Sequence, residues 1–156
     1  RNEAGDRRRF AEVGADAGPG LAQVRASRGT AVADWDADGD LDLLVSNLGE
    51  PLSLLSNEGS STDHWLGLHL EGLVSNRDAV GARVCVRAGD TRQCQTVGGD
   101  GSYLSYGARR LHVGLGGQTA VDSVLVWWPA GGMQHLTDLA VNRTHVLGES
   151  KADAAK

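Results

Sequence analysis

The sequence has few of the patterns that form helices, membrane spans or nucleic-acid-binding faces. No apolar run approaches the roughly 18 residues that a membrane-spanning helix requires, so we expect no membrane span. Aromatic residues make up only 4% of the chain and are not interleaved with a basic face, which argues against nucleic-acid binding. No window of ten residues carries convincing helical periodicity, so we expect little helix.

Motifs that carry catalysis are missing as well. The chain contains no Gly-x-Ser-x-Gly elbow, no phosphate-binding loop and no paired carboxylates outside one aspartate-rich stretch. The histidines lack the i, i+2 or i, i+4 spacing of zinc ligands, although strands could bring His69, His112 and His145 together. We therefore expect that this chain is not an enzyme.

What the chain does contain favours β-structure. Twenty-two of its 156 residues are glycine, and short Val and Leu runs are separated by turn-forming stretches. The length allows one domain or two small ones with an apolar core, and the net charge of −5 is mild. These features predict an all-β protein with many tight turns. The predicted strands include a hairpin of strands 79–87 and 92–97, and a central strand over residues 121–128.

The aspartate loop, residues 34–42, is the most informative feature. It lies between two apolar strand candidates, with Gly39 at relative position 6 and Asp40 at position 7. Positions 1, 3, 5 and 9 carry carboxylates, from Asp34, Asp36, Asp38 and Asp42. Calcium takes about six to eight oxygen ligands, and a glycine at position 6 allows the sharp bend that turns carboxylates inward. An EF-hand would need Glu at position 12, where this sequence has Val45, so the spacing predicts a strand–loop–strand calcium site.

A surface turn is the alternative interpretation of the aspartate loop, since Asp and Gly are both turn-forming residues. Turn chemistry does not require five aspartates within nine residues, however. Without a cation these carboxylates would repel one another, and we therefore favour the calcium site.

The two cysteines, Cys85 and Cys94, are a second candidate site. A tight hairpin turn centred on Gly89 and Asp90 places them opposite each other, which makes a cross-strand disulfide geometrically plausible. Two free thiols are the alternative, but a disulfide agrees with an oxidising, calcium-rich compartment. The same register predicts a solvated cysteine face that also carries three arginines, Arg83, Arg87 and Arg92.

The stretch GTAVADWDADGDLDLLV at residues 29–45 resembles an FG-GAP/VCBS repeat. Such repeats form the blades of integrin-α-like β-propellers, and each holds calcium in its loop. The resemblance implies that Trp35 packs between strands and that Asp40 provides a backbone carbonyl to the ion. It also implies that four carboxylates coordinate calcium, those of Asp34, Asp36, Asp38 and Asp42.

Five segments of the second half resemble, in order, the ASPIC/UnbV domain that follows such repeats in the cartilage acidic protein-like family. They read HWL at 64–66, SNRDAVGARV at 75–84, GSYLS at 101–105, LHVGLG at 111–116 and VWWPAG at 126–131. Together the two resemblances imply a partial propeller-type blade over residues 1–59, followed by a β-sandwich or barrel-like ASPIC/UnbV domain over residues 60–149. We expect residues 150–156 to be a disordered tail.

These features predict a calcium-stabilised binding or scaffold module that lies outside the cytoplasm, as a periplasmic, cell-surface or secreted protein. One repeat is short of the roughly four to eight blades of a propeller, so we expect a protein partner or missing blades to pack on residues 1–60. One alternative is a lectin-like module that binds glycans through Trp127 or Trp128. Another is an accessory domain of an enzyme complex.

Overall fold

The computed structural model describes residues 2–3, 9–14, 16–59, 62–99, 101–103 and 105–151. These residues form twelve β-strands in four sheets and contain no helix, which confirms the predicted all-β fold class. The domain boundary predicted at residue 60 lies outside the described residues, as does most of the tail predicted to be disordered, from residue 152 onward.

The N-terminal part forms two antiparallel sheets. Strands β1 (Asn2–Glu3) and β2 (Arg9–Phe10) pair with each other. Strands β3 (Ser27–Ala33), β4 (Asp42–Asn47) and β5 (Ser53–Leu55) pair in the order β3-β4-β5, which we call the repeat sheet. The aspartate loop connects β3 to β4, as the apolar runs on either side of it predicted.

The seven later strands form the two sheets of a β-sandwich. They are β6 (His64–Glu71), β7 (Arg83–Ala88), β8 (Thr91–Thr96), β9 (Leu111–Gly116), β10 (Ser123–Trp127), β11 (Met133–Leu136) and β12 (Arg143–Gly148). One sheet has the order β12-β6-β9, with β12 parallel to β6, and the other has the antiparallel order β11-β10-β7-β8. None of the described sheets closes into a barrel.

One apolar core lies between the two sandwich sheets, because alternate side chains of each strand point to the same face. In β10, Val124 and Val126 are fully buried, while Leu125 between them is half-buried. The largest fully buried side chains are Leu66, Leu68, Val84, Val97, Val124 and Val126. Every described member of this core lies at residue 66 or later, so the repeat sheet contributes no side chain to it.

Two glutamines join the sandwich sheets along one side. Strands β8 and β9 lie at the edges of different sheets, and both glutamine side chains come from β8. Gln93 donates its amide to the carbonyl of Gly114 (2.6 Å), and Gln95 donates to that of His112 (2.8 Å). These bonds occupy carbonyls on an edge that no other described strand covers, and they therefore limit edge-to-edge pairing with a second chain.

The observed strand boundaries differ from the predicted ones for local reasons. Strand β10 lies between β7 and β11, which confirms the predicted central strand over residues 121–128. The strand predicted over residues 79–87 begins only at Arg83, because Ala79 (φ 50°) and Gly81 (φ 92°) belong to a turn. Strand β11, of four residues, was not predicted from the sequence.

Cys85 and Cys94 form a disulfide across the β7–β8 hairpin, in the register that the sequence predicted. Their Cα atoms lie 4.1 Å apart. The expectation of a solvated face is confirmed for Cys94 and for the three arginines, but it is wrong for Cys85, which is 3% exposed. Cys85 is buried because β7 is an inner strand, and Leu125 of β10 lies directly opposite it.

Reduction of the Cys85–Cys94 disulfide is expected to lower the free energy of unfolding by about 1 kcal/mol, at the low end of the ~0–5 kcal/mol range. The bond closes a short loop, with a sequence separation of 9, which strand pairing already holds. Thermal unfolding with and without a phosphine reductant measures the effect, and Cys94→Ser provides an independent comparison at an exposed position. Loss of the cooperative transition on reduction would contradict the expectation.

Candidate metal centre

Three aspartates of the aspartate loop lie close together. Strand β3 ends at Ala33, β4 begins at Asp42, and these two residues face each other in the antiparallel register. The pairing brings both ends of the loop to one place. One carboxylate oxygen each of Asp34, Asp36 and Asp42 lies within 4.8 Å of the others.

Asp42 is buried, with 4% of its surface exposed, and it fixes the base of the loop. Its Oδ2 accepts a hydrogen bond from the Trp35 N–H (2.8 Å), and its Oδ1 accepts one from the Asn57 N–H (2.9 Å). Asp42 therefore joins the start of the loop to the segment after β5. Each oxygen retains a lone pair, since a carboxylate oxygen can accept more than one bond.

Asp36, Asp38 and Asp40 are linked by hydrogen bonds from backbone N–H groups to side-chain oxygens two residues earlier. The Asp38 N–H donates to Asp36 Oδ1 (3.3 Å), and the Asp40 N–H donates to Asp38 Oδ1 (2.8 Å). Desolvation, together with the negative charges of Asp38 and Asp42, raises the pKa of the Asp36 carboxyl. The carboxylates of Asp38 and Asp40 lie outside the three-aspartate group. The ligand roles of all five aspartates stay predictions.

Asp34 gives the clearest indication of a cation. Its Oδ1 is buried and accepts no hydrogen bond from any described residue. An unpaired buried acceptor costs about 1–3 kcal/mol, and more when it is charged, so a cation bound beside this atom would be stabilising. The neighbouring potential ligand atoms are the carboxylate oxygens of Asp36 and Asp42, which suit a hard cation such as Ca²⁺. The residues present therefore fit the predicted calcium ion.

No histidine belongs to a cluster of potential metal ligands in the part of the chain that the structure describes. There the three-aspartate group is the only cluster of His, Cys, Asp and Glu with metal-binding spacing. His112 instead stacks on Trp65, with ring centroids 5.4 Å apart. Desolvation lowers the pKa of His112, against the opposing effect of the charges on Asp34 and Asp40.

Three of the tryptophans lie in different environments. Trp128 is 4% exposed and belongs to the core, while Trp127 is half-buried, with the Arg83 guanidinium carbon 5.7 Å from its ring centroid. The two rings therefore do not form an exposed platform for a glycan. Trp35, which the resemblance placed between strands, is 75% exposed because the sandwich does not cover this side of the loop.

Trp65 is a residue of the site that the sequence analysis missed. Its indole lies against Gly39, at the sharp bend of the aspartate loop, and leaves no room there for a side chain. The sequence predicts only a bend at Gly39 and only a strand at Trp65. No local signal connects them, because the contact depends on how the repeat sheet packs against β6.

Glu149 is a buried carboxylate that the sequence analysis also missed. It is 5% exposed, and its Oε2 accepts hydrogen bonds from the N–H groups of Leu73, Val74 and Ser75 at 2.7–2.8 Å. Its Oε1 accepts a fourth bond, from the Ser75 hydroxyl at 2.8 Å. This carboxylate therefore holds the loop after β6 against the end of β12.

A search of the described residues for a membrane-crossing helix finds no helix of sufficient length and apolar character. Comparison with curated proteins finds no match to this chain. The family model described as ASPIC and UnbV matches residues 72–154, which is more than half of the chain. This match covers most of the sandwich and includes four of the five segments on which the resemblance was based. The chain belongs to the ASPIC and UnbV family.

Proposed function

We propose that this chain is a calcium-stabilised binding or scaffold module that acts outside the cytoplasm as an accessory part of a larger protein. In this proposal the repeat sheet and the aspartate loop form a single FG-GAP/VCBS-type blade attached to the ASPIC/UnbV sandwich. The observation that carries it is the buried, unpartnered Oδ1 of Asp34 beside the carboxylates of Asp36 and Asp42. Calcium would neutralise this group and fix the loop, so its role is structural.

The Cys85–Cys94 disulfide supports the proposed location. Disulfides persist in oxidising compartments such as the periplasm and the extracellular space. Calcium sites of extracellular modules bind at about 10⁻⁴–10⁻³ M, which suits the calcium concentrations found there. The disulfide and the proposed calcium site are independent features, and both favour a location outside the cytoplasm.

The repeat sheet supports a role in binding another protein or further blades. None of its described apolar side chains is fully buried, and Val32, Leu44 and Leu54 are 37%, 39% and 47% exposed. No described strand pairs with the outer edge of β5. An open cleft of about 710 Å³ lies beside β4 and β5, lined partly by leucines at positions 21, 41, 43, 54 and 55. A partner that covers this cleft would bury apolar surface that otherwise contacts water.

Removal of calcium is expected to lower the melting temperature. At a free calcium concentration ten times the dissociation constant, binding contributes roughly 1.4 kcal/mol, because only the folded loop binds the ion. For a chain of this length that corresponds to about 3–6 °C. Thermal unfolding with excess EDTA, and after calcium is restored, measures the difference. Identical melting curves would contradict the proposed calcium site.

Two matched substitutions separate the site from general effects of charge. Asp36→Asn removes one carboxylate of the three-aspartate group without disturbing the hydrogen bonds of Asp42, and is expected to abolish most of the calcium-dependent shift. Asp90→Asn makes the same chemical change in the exposed β7–β8 turn and should retain the full shift. A shift that is equal in the two variants would place the calcium effect elsewhere.

A further inference from the structure

We propose that calcium binding in the aspartate loop is thermodynamically linked to docking of the loop on the sandwich, and that Trp65 is the positioning residue that joins the two. The inference rests on the proposed calcium site. It goes beyond that site by naming a side chain outside the loop, on the first strand of the sandwich, that sets its affinity.

The contact between Trp65 and Gly39 is unusually restrictive. Gly39 is buried and has a φ of 100°, a conformation that residues with a side chain rarely adopt. A Cβ at position 39 would overlap the indole Nε1, Cδ1 and Cε2 atoms of Trp65. The indole therefore fills the space beside the bend, and it packs directly against the loop backbone.

Trp65 is itself held in place by its neighbours in the sandwich. The backbone N–H of Trp65 donates to Asn142 Oδ1 (3.1 Å), and the backbone carbonyl of Trp65 accepts a bond from the Asn142 N–H (2.7 Å). Its ring stacks on His112 of β9, with an interplanar angle of 17°. Strand β9 and the residue that precedes β12 thus help to fix the position of the surface on which Gly39 rests.

The position of Gly39 in the loop connects this contact to the metal. Asp42 pairs with Ala33 across the two strands, and Asp34 directly follows Ala33. The chain must therefore bend at Gly39 to bring Asp42 back beside Asp34. A bend held by Trp65 orders the carboxylates before the ion arrives, which lowers the entropic cost of binding. Linkage is reciprocal, so an ion that orders the loop must strengthen its docking on Trp65 by the same free energy.

A second contact holds the base of the loop independently of Trp65. The Thr30 N–H of β3 donates to the Ser105 hydroxyl (3.0 Å), and the Ala108 N–H donates to the Val32 carbonyl (3.3 Å). These bonds keep β3 against the sandwich when Trp65 is removed. Loss of the indole is therefore expected to free the bend and to weaken calcium binding while the sheets remain folded.

Calcium titration calorimetry on four proteins tests the inference: the wild type, Trp65→Ala, Trp65→Phe and Trp127→Ala. Loss of an outer support of a metal site typically costs about 10- to 100-fold in affinity, and we expect a loss in this range for Trp65→Ala. Trp65→Phe keeps an aromatic ring beside the bend and should recover most of the affinity. Trp127→Ala removes the same side chain far from the loop in sequence and should bind like the wild type.

The outcomes distinguish this inference from the function on which it rests. A Trp65→Ala protein with wild-type affinity overturns the inference and leaves the calcium site intact, whereas a wild type that binds no calcium overturns both. Hydrogen exchange of the wild type provides a test that needs no variant. Calcium should slow exchange at the amides of Trp65 and His112 as well as in the loop, and protection confined to residues 34–42 overturns the linkage.

Discussion

Replacement of Glu149 by alanine is expected to lower the free energy of unfolding by about 3 kcal/mol at neutral pH, and the melting temperature by about 6–12 °C. The buried carboxylate accepts four hydrogen bonds, three from consecutive backbone N–H groups and one from the Ser75 hydroxyl. Hydrogen bonds to a charged acceptor contribute about 1.5–3 kcal/mol each, although bonds that share one acceptor do not add fully. Denaturant unfolding of the wild type and the variant measures the difference.

Glu71→Ala is the matched control for this substitution. Glu71 is exposed at the end of β6, and its carboxylate lies 3.9 Å from the His69 ring without a hydrogen bond. Its backbone carbonyl accepts a hydrogen bond from the Glu149 N–H, and the substitution leaves that carbonyl in place. We expect a change within about 0.5 kcal/mol. Equal losses in the two variants would show that the hydrogen bonds of Glu149 contribute little.

The pH dependence of Glu149 gives the same prediction a second measurement. Burial by itself raises the pKa of this carboxyl, but the hydrogen bonds from Ser75, Leu73 and Val74 outweigh it and hold the pKa below its ordinary value of 4.5. The stabilisation is therefore complete above pH 4.5 and is lost as the pH falls through the lower pKa of the folded state. Glu149→Gln removes this titration, so its deficit relative to the wild type should shrink in acid. A deficit that is constant with pH would contradict the assignment.

The β7–β8 hairpin could be predicted from apolar residues and turn residues, whereas the sandwich architecture was implied by the resemblance to the ASPIC/UnbV domain. Val84 and Val86 point to the core because residues two apart on a strand share a face, and the turn at Gly89 places Cys85 opposite Cys94. Both are local rules, and the structure follows them. The burial of Cys85 could not be inferred in the same way, because it depends on β10, nearly forty residues later, as a neighbour.

The supports of the candidate site depend on topology that no local pattern specifies. Strand β12 lies parallel to β6, and this pairing places Asn142 beside Trp65 and Glu149 beside the loop after β6. Periodicity identifies a strand but does not choose its neighbour, and parallel pairing between distant strands has no turn to specify it. The aspartate loop was predictable because all of its carboxylates lie within nine residues.

Gly39→Ala is expected to destabilise the docked loop by about 2–5 kcal/mol and to remove measurable calcium binding. The left-handed backbone conformation costs an L-residue roughly 1–2 kcal/mol, and forcing a methyl group against a packed side chain costs about 1–3 kcal/mol more. Both terms apply here, since the φ of Gly39 is 100° and Trp65 occupies the space of the Cβ. Calcium titration and hydrogen exchange of the loop measure the two losses.

Gly49→Ala and a double variant separate the two costs. Gly49 has a φ of 71° in the turn after β4, and a Cβ there would contact nothing within 4 Å, so its substitution carries the backbone cost alone. In a Trp65→Ala background the overlap at position 39 disappears, and Gly39→Ala should then cost no more than Gly49→Ala. This non-additivity measures the contact between loop and sandwich directly. If Gly39→Ala costs the same with and without the indole, the bend is set by the aspartate loop itself and not by Trp65.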